Sequence, residues 1–285
     1  MNRNDFRFLE PLRVRWAEVD MQKIVFNGHY LMYFDTAVAG YWRALAMPYH
    51  ETMEALGGDL FVRKATLEYE ASARYDEQLA VGVRCGRIGN SSLTFAAAVF
   101  RGEQRLVHGE LVYVHADPAT QTSRPVPQVL RDWFNAFEAG EAMSTVTVGA
   151  WNMLGEEARR LRRTVFHEEQ GIVADLMVDA ADETAVHAVA RNRLGLAIAS
   201  GRLLPARDGI SQIGRMATLA SMRGAGFGRG VLEALMASAR QRGDRAVRLN
   251  AQASAIGFYA RQGFQLDGDP FQEAGIPHQA MRKPL

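Results

Sequence analysis

The chain has 285 residues, with 33 lysines and arginines against 32 aspartates and glutamates and a formal net charge of +1. That length suits two ordinary domains, and the balanced charge argues against nucleic acid or an anionic membrane as main partner. The single cysteine, Cys85, excludes an intrachain disulfide and a cysteine-rich zinc site. No run of about eighteen apolar residues marks a membrane span. The opening MNRNDFRFLEPLRVRW lacks the apolar core of a signal peptide, so a cytoplasmic protein is expected.

In chain order, RVRWAEVD (13–20) reads as a strand followed by a loop. HYLMYFDTAVAGYWRALAM (29–47) carries only Asp35 and Arg43 as charges, and a helix apolar nearly all round belongs inside a fold. Asp35 on such a helix needs a partner, and a hydrogen-bonded place at a subunit contact suits it better than a catalytic role. FVRKATLEYE then alternates, with Phe61, Arg63, Ala65, Leu67 and Tyr69 on one face and Val62, Lys64, Thr66, Glu68 and Glu70 on the other. LAVGVRCGRIG, SSLTFAAAVF and RLVHGELVYVHAD continue the series across turn-sized gaps. One buried helix and a run of antiparallel strands predict an α+β unit whose sheet curls around that helix. The helical stretch PQVLRDWFNAFEAG ends at Gly140, where helices commonly stop. A new alternating run, Thr145–Val148, starts soon after. The seam divides the chain into domains 1–140 and 145–285, and no internal repeat makes one a copy of the other.

In the second half, WNMLGEEARRLRRTVFHEEQ predicts a helix, and AVHAVARN, LGLAIASGRL and ISQIGRMATLA predict strands. A glycine loop and its helix follow to about Arg242. Then come the strand AVRLNAQ, the short helix SAIGFYARQ and a closing hairpin or strand, FQLDGDPFQEAGIPHQAM. This is a mixed α/β layer with the glycine loop directly after a central strand.

The loop sets Gly224, Gly226, Gly228 and Gly230 before Val231, Leu232, Leu235 and Met236, which recur at helical spacing. Backbone N–H groups at the positive end of a helix form an anion site. No Lys-Ser/Thr pair follows, so this is not a P-loop. Nor is it a dinucleotide fingerprint, because it reads G-x-G-x-G-x-G and Asp244 stands before its strand rather than at the strand's end. The remaining pattern, R-x-x-G-x-G over Arg223–Gly228, resembles the pyrophosphate loop of the GNAT acetyltransferase superfamily. ASAIGFYARQGF matches that superfamily's A-x-x-x-Y-x-x-x-G-F segment at Ala255, Tyr259, Gly263 and Phe264. RTVFHEEQGI and FQEAGIPHQAM resemble one small branch of it, so the likeness covers residues 146–285. The resemblance implies acetyl-CoA as cosubstrate, bound through Arg223, Gly224, Gly226, Gly228 and Gln252, the last standing where Asn is usual. It also implies Tyr259 as the general acid that protonates the departing thiolate, a task suited to a phenol because its ordinary pKa lies above that of a thiol. For the base, Glu168, Glu169, Glu273, His278 and a water relay stay open.

RWAEVDMQKIVFNGHYLMYFDTA (15–37) resembles the hotdog-fold thioesterases of the 4-hydroxybenzoyl-CoA thioesterase type. Residues 8–138 carry that family's order: strand, loop, buried helix, four strands, terminal helix. Asp20 matches the family's aspartate, Asn27 and Tyr30 its approach to the central helix, and Asp35-x-Ala37 its acidic-x-Ala spacing. The resemblance implies Asp20 as the carboxylate that activates water or attacks the thioester. Oxyanion and substrate contacts would come from Asn27 and the backbone at Gly28, His29 and Tyr30, where the helix dipole favours negative charge. Lys23 and Ile24 replace the family's usual Gly and His or Val, and Lys23 is close enough in sequence to hold Asp20 ionised. A lone sheet of this kind has an open edge. The family covers it by dimerising, so a homodimer or homotetramer through this domain is expected.

Both halves point to CoA thioesters. The expectation is a bifunctional enzyme, an acyl-CoA thioesterase followed by an N-acetyltransferase acting on an unidentified amine, with no tightly bound cofactor. No metal is expected, because no histidine pair has four-residue helical spacing and His108 and His115 fall on opposite faces of their strand. The competing expectation is one silent half serving as a CoA sensor or dimerisation module. A hydratase on the hotdog fold would need a differently placed His and acid.

Overall fold

The computed structural model describes residues 1–285 and separates into two units, Met1–Met143 and Ser144–Leu285. The first unit runs β1 (Phe8–Arg13), α1 (His29–Ala44), α2 (Tyr49–Leu56), β2 (Asp59–Tyr69), β3 (Gln78–Ile88), β4 (Ser92–Arg101), β5 (Gln104–Ala116) and α3 (Gln128–Glu138). Its strands form one antiparallel sheet of order β1-β3-β4-β5-β2. β1 stops at Arg13, short of the strand expected over 13–20, and Trp16–Glu18 is a tight helical turn instead. The Glu18 carboxylate accepts the Arg15 backbone N–H at 2.8 Å, a local bond that competes with strand pairing. β2 keeps its expected span but not its strict alternation, because a bulge between Val62 and Lys64 shifts the register by one residue. The additional helix α2 starts after Pro48 and ends on Gly57 in the left-handed region, too short for its periodicity to show.

Helix α1 lies against β1, β3 and β4. It buries Tyr30, Tyr33, Phe34, Ala37, Val38, Tyr41 and Trp42, yet Leu31, Met32 and Asp35 are exposed. The helix therefore has one core face and one outer face despite its nearly uniform apolarity. A Cβ on Gly40 would come within 2.8 Å of the Phe8 ring, so this glycine permits the close approach to β1. The core is aromatic. Phe95 lies edge-on to Tyr41 at 5.9 Å, to Trp42 at 5.6 Å and to Phe134 at 5.7 Å, and burying each such side chain is worth about 1.5–3 kcal/mol. Trp133 settles its one polar atom by donating Nε1–H to the Leu45 carbonyl at 2.8 Å.

The second unit runs β6 (Ser144–Gly149), α4 (Trp151–Arg162), β7 (Val186–Asn192), β8 (Ala197–Leu203), β9 (Ile210–Thr218), α5 (Phe227–Gln241), β10 (Ala246–Gln252), α6 (Ile256–Arg261), β11 (Gln265–Leu266), β12 (Phe271–Glu273) and β13 (Ile276–Pro284). The sheet order is β11-β13-β10-β9-β8-β7-β6, with β12 as a hairpin on β13. β7 and β8 are buried on both faces. In β8, a Cβ on Gly201 would come within 3.1 Å of Val231 and Leu235 of α5. Its neighbour Arg202 points the other way, towards Asp182 and the α4 side chain Arg162. Only β9 and β10 are parallel, and they pair only from Ala246↔Ile210 to Arg248↔Gln212. Beyond that, β10 continues against β13 and β9 against β8, so the two strands part and leave a gap.

Candidate active sites

In the second unit, the gap between β9 and β10 is closed at one end by the glycine loop. Gly224 and Gly226 have φ of 87° and 92°, a region open to glycine and rarely to other residues. Gly226 is the N-cap of α5, and the Phe227, Gly228 and Arg229 N–H groups of its first turn precede the first intrahelical bond, Gly230 N–H to Gly226 O. All three residues line a cavity of about 800 Å³, together with Arg223, Gln252 and Tyr259. The Arg223 guanidinium is turned to Glu169, with both Nη atoms 2.6 Å from its carboxylate oxygens. Gln252 donates its amide to Gln170 Oε1 at 3.0 Å.

A second cavity, of about 540 Å³, shares Gln170, Met216, Gln252, Ala255 and Tyr259 with the first. Tyr259 thus stands where the two meet. It is 7% exposed, and burial pushes its phenol up to about 12. Between Ser200↔Ala217 and Arg202↔Gly214 the β9 strand carries one extra residue, and Arg215 there sits at φ 51°. Sequence reading misses this bulge because nothing local distinguishes an arginine held in the left-handed region. Among the possible bases, Glu168 is 3.2 Å from Arg163 and Glu169 is committed to Arg223. Glu273 and His278 line the second cavity. Glu273 accepts from Asn250 Nδ2 at 3.1 Å, while His278 Nδ1 lies 2.8 Å from the Ile276 carbonyl.

In the first unit, residues 14–28 wrap the start of α1. Glu18, 3% exposed, organises this loop. Its carboxylate accepts from the Tyr33 hydroxyl at 2.8 Å and from Arg15 Nε at 2.6 Å, and its carbonyl accepts from Phe26 N–H at 2.9 Å. Burial pushes the Glu18 pKa up, but the Arg15 backbone N–H, the Tyr33 hydroxyl and the Arg15 guanidinium more than offset it, leaving a value below the ordinary one. Glu18 was not singled out from the sequence, although it stands two residues before Asp20. Asp20 lies in a tight turn, with Oδ1 accepting Gln22 N–H at 2.8 Å and the carbonyl accepting Lys23 N–H at 2.9 Å. Lys23 and Asp20 form no ion pair. Lys23 instead occupies the left-handed region at φ 61°, the conformation a glycine at this position would take without strain.

Asp20, Asn27, Tyr30 and Tyr69 line a cavity of about 540 Å³. The Tyr69 hydroxyl donates to the Asn27 carbonyl at 3.2 Å, and the buried Tyr30 hydroxyl accepts Ala73 N–H at 2.8 Å. The His29 and Tyr30 N–H groups donate to Phe26 O and Asn27 O, so Asn27 and Gly28 N–H are among the donors left without a partner at the mouth of α1. The His29 ring nitrogen Nδ1 lies 3.4 Å from the Met32 sulfur. Asp35 is exposed and takes a 3.4 Å contact from the Tyr113 hydroxyl. No group of three or more His, Cys, Asp or Glu side chains is placed to hold a metal, and no helix is long and apolar enough to cross a membrane.

Comparison with known proteins finds one match in each unit. A thioesterase superfamily model matches residues 22–108, and an acetyltransferase (GNAT) domain model matches residues 177–285. YjcF of Bacillus subtilis, an uncharacterized N-acetyltransferase, is 33% identical over 129 residues, covering 45% of this chain and 91% of YjcF. YbgC of Escherichia coli, an acyl-CoA thioester hydrolase, is 28% identical over 132 residues, covering 45% of this chain and 94% of YbgC. Among solved structures, the PA5185 protein from Pseudomonas aeruginosa is 27% identical with a TM-score of 0.42, covering 47% of this chain and 94% of that one. The first unit is similar to the thioesterase superfamily and the second belongs to the GNAT acetyltransferases, so the chain is a fusion of the two.

Proposed function

We propose that the chain uses CoA thioesters at two separate sites, hydrolysing an acyl-CoA in the first unit and passing acetyl from acetyl-CoA to an amine in the second. The observation that carries the reading is Tyr259. Its phenol stands at the junction of two cavities, one walled by the glycine loop and one by acidic and basic side chains. In the first cavity the α5 N-terminus and Arg223 receive the CoA pyrophosphate, and Arg223 leaves Glu169 to do so. The gap between β9 and β10 takes the extended arm of CoA and brings its sulfur to Tyr259.

The acceptor amine enters the second cavity as an ammonium and first loses a proton, by way of Glu273 or water. Its nitrogen lone pair attacks the thioester carbonyl, the C–N bond forms and the C–S bond breaks. The sulfur leaves with its electron pair and takes the Tyr259 proton, and the second proton lost by the nitrogen as the amide forms returns through water to the Tyr259 phenolate. A phenol raised to about 12 remains protonated until that step.

In the first unit Asp20 activates water or attacks the acyl carbonyl, and the unpaired Asn27 and Gly28 N–H groups, at the positive end of α1, face the developing oxyanion. Glu18 fixes the loop that carries Asp20. β2 is an edge strand, and Phe61, Val62 and Tyr69 on it are 37%, 53% and 53% exposed. This supports pairing with a second copy, as a homodimer or a homotetramer.

Titration with desulfo-CoA tests the cofactor side. The wild type is expected to bind, and Gly226→Val, which puts a β-branched side chain at φ 92°, is expected to weaken binding at least tenfold. Equal binding by both proteins would remove the glycine loop from the site.

A further inference from the structure

The second cavity of the second unit carries a charge arrangement that acetyl transfer by itself does not require. At its β8 and β9 wall Arg202 and Arg215, with the α4 residue Arg162 behind them, share the carboxylates of Asp179, which lines the cavity, and Asp182, which does not. Arg202 forks onto Asp179, with Nη1 to Oδ1 at 2.7 Å and Nη2 to Oδ2 at 2.8 Å, and Nη1 also reaches Asp182 Oδ1 at 2.9 Å. Arg162 Nη1 spans both Asp182 oxygens at 2.9 Å. Arg215 Nη2 adds a third guanidinium, 3.0 Å from Asp179 Oδ2. One positive charge is therefore left over.

The donors are not all satisfied either. Arg202 is 7% exposed, and its Nε has no acceptor, nor has that of Arg215. Buried cationic donors without acceptors are unfavourable unless an anion completes the set. The β9 bulge holds Arg215 at φ 51°, a conformation arginine rarely adopts, and Arg202 and Arg215 both line the cavity. The opposite charge lies in the same cavity. Glu273 forms no ion pair and is held by Asn250 Nδ2 at 3.1 Å. One surplus cation and one unpaired carboxylate thus share a cavity of about 540 Å³, a size suited to a small molecule.

We propose that the acetyl acceptor is a small zwitterion, a primary amine that also bears a carboxylate. The ammonium approaches Glu273 and Tyr259, and the carboxylate completes the Arg202–Arg215 group, whose planar donors match its two oxygens. A zwitterion neutralises both ends of the cavity, which a simple alkylamine or a polyamine does not. The inference rests on the acetyl-transfer reading. The proton and electron balance is that of any primary amine: the ammonium gives up one proton before attack, the thiolate takes one from Tyr259, and the second nitrogen proton restores the Tyr259 phenol through water.

The test compares acetyl-CoA turnover with free amino acids and with the same amino acids as carboxamides, which remove the anion and keep the amine. The expected kcat/KM ratio of acid to amide is at least tenfold in the wild type. Arg215→Asn, which tolerates the left-handed backbone, is expected to lower that ratio at least tenfold, with Arg215→Lys between the two. Equal turnover of acids and amides in the wild type overturns this inference and leaves acetyl transfer standing. Turnover of neither series, with CoA bound, overturns both. Because the wild-type ratio needs no variant, misfolding of Arg215→Asn does not rescue the proposal.

Discussion

Asp182→Asn isolates what the buried charge group does for the second unit. Asp182 and Arg162 have side-chain exposures of 1% and 0%. Besides Asp182, the only other acceptor of Arg162 is the Met177 carbonyl, at 3.1 Å, and Arg162 Nε and Nη2 already have none. Removing the Asp182 charge leaves a fully buried guanidinium without its counter-ion, at a cost of about 3–5 kcal/mol. Unfolding entropy of about 2.1 cal/mol/K per residue over roughly 140 residues comes to about 0.3 kcal/mol/K. A loss of about 4 kcal/mol therefore lowers the melting temperature of this unit by about 13 °C. Scanning calorimetry of the full chain measures the shift, with hydrogen exchange assigning each transition to its unit. A fall of less than about 4 °C, or an equal fall in both transitions, would refute the view that this pair is a buried, charge-dependent clasp.

Other expectations concern acidity and chemistry. His187 is buried, and burial with the neighbouring Arg162 and Arg202 holds its folded pKa below 6.5. The unfolded chain therefore takes up the proton first, so the second unit keeps its full stability above pH 6.5 and loses it as pH falls below. Melting temperatures between pH 7.5 and 5 check this, and a flat profile in that window would contradict it. Tyr259→Phe is expected to lower kcat for acetyl transfer by about 100-fold or more with CoA affinity retained, and a matching loss of CoA affinity would make Tyr259 a binding residue. Since the Tyr259 phenol sits at about 12, ionisation of this group lowers transfer only near that pH, and a loss beginning at pH 9 would argue against its role.

The sheet-and-helix order of both units is legible in the sequence because it rests on periodicity. The strand AVRLNAQ is found at Ala246–Gln252, and the helix expected from residue 29 begins at His29. What stays hidden has local causes. The end of β1 depends on Glu18 capturing Arg15 N–H, a side-chain bond that alternation does not encode. The bulge in β2 falls where Val62, Arg63 and Lys64 offer no glycine as a marker. Lys23 and Arg215 take left-handed backbone that their residue types disfavour. The glycine loop is readable because glycines mark it. The charged wall of the second cavity is not, since Asp179 and Asp182 share one turn while Arg202 and Arg215 come from two strands, and they meet only through the sheet.

Two independently acting thioester sites on one chain are distinguished by free-thiol release. Wild type, Asp20→Asn and Tyr259→Phe are compared on a panel of acyl-CoAs, with and without amines, after correction for Cys85. The expected result is amine-independent release that disappears in Asp20→Asn alone and amine-dependent release that falls in Tyr259→Phe alone. Hydrolysis that survives Asp20→Asn, or a loss of both activities in either variant, would contradict two separate sites. Bound CoA with no release under any condition would reduce the chain to a sensor or scaffold.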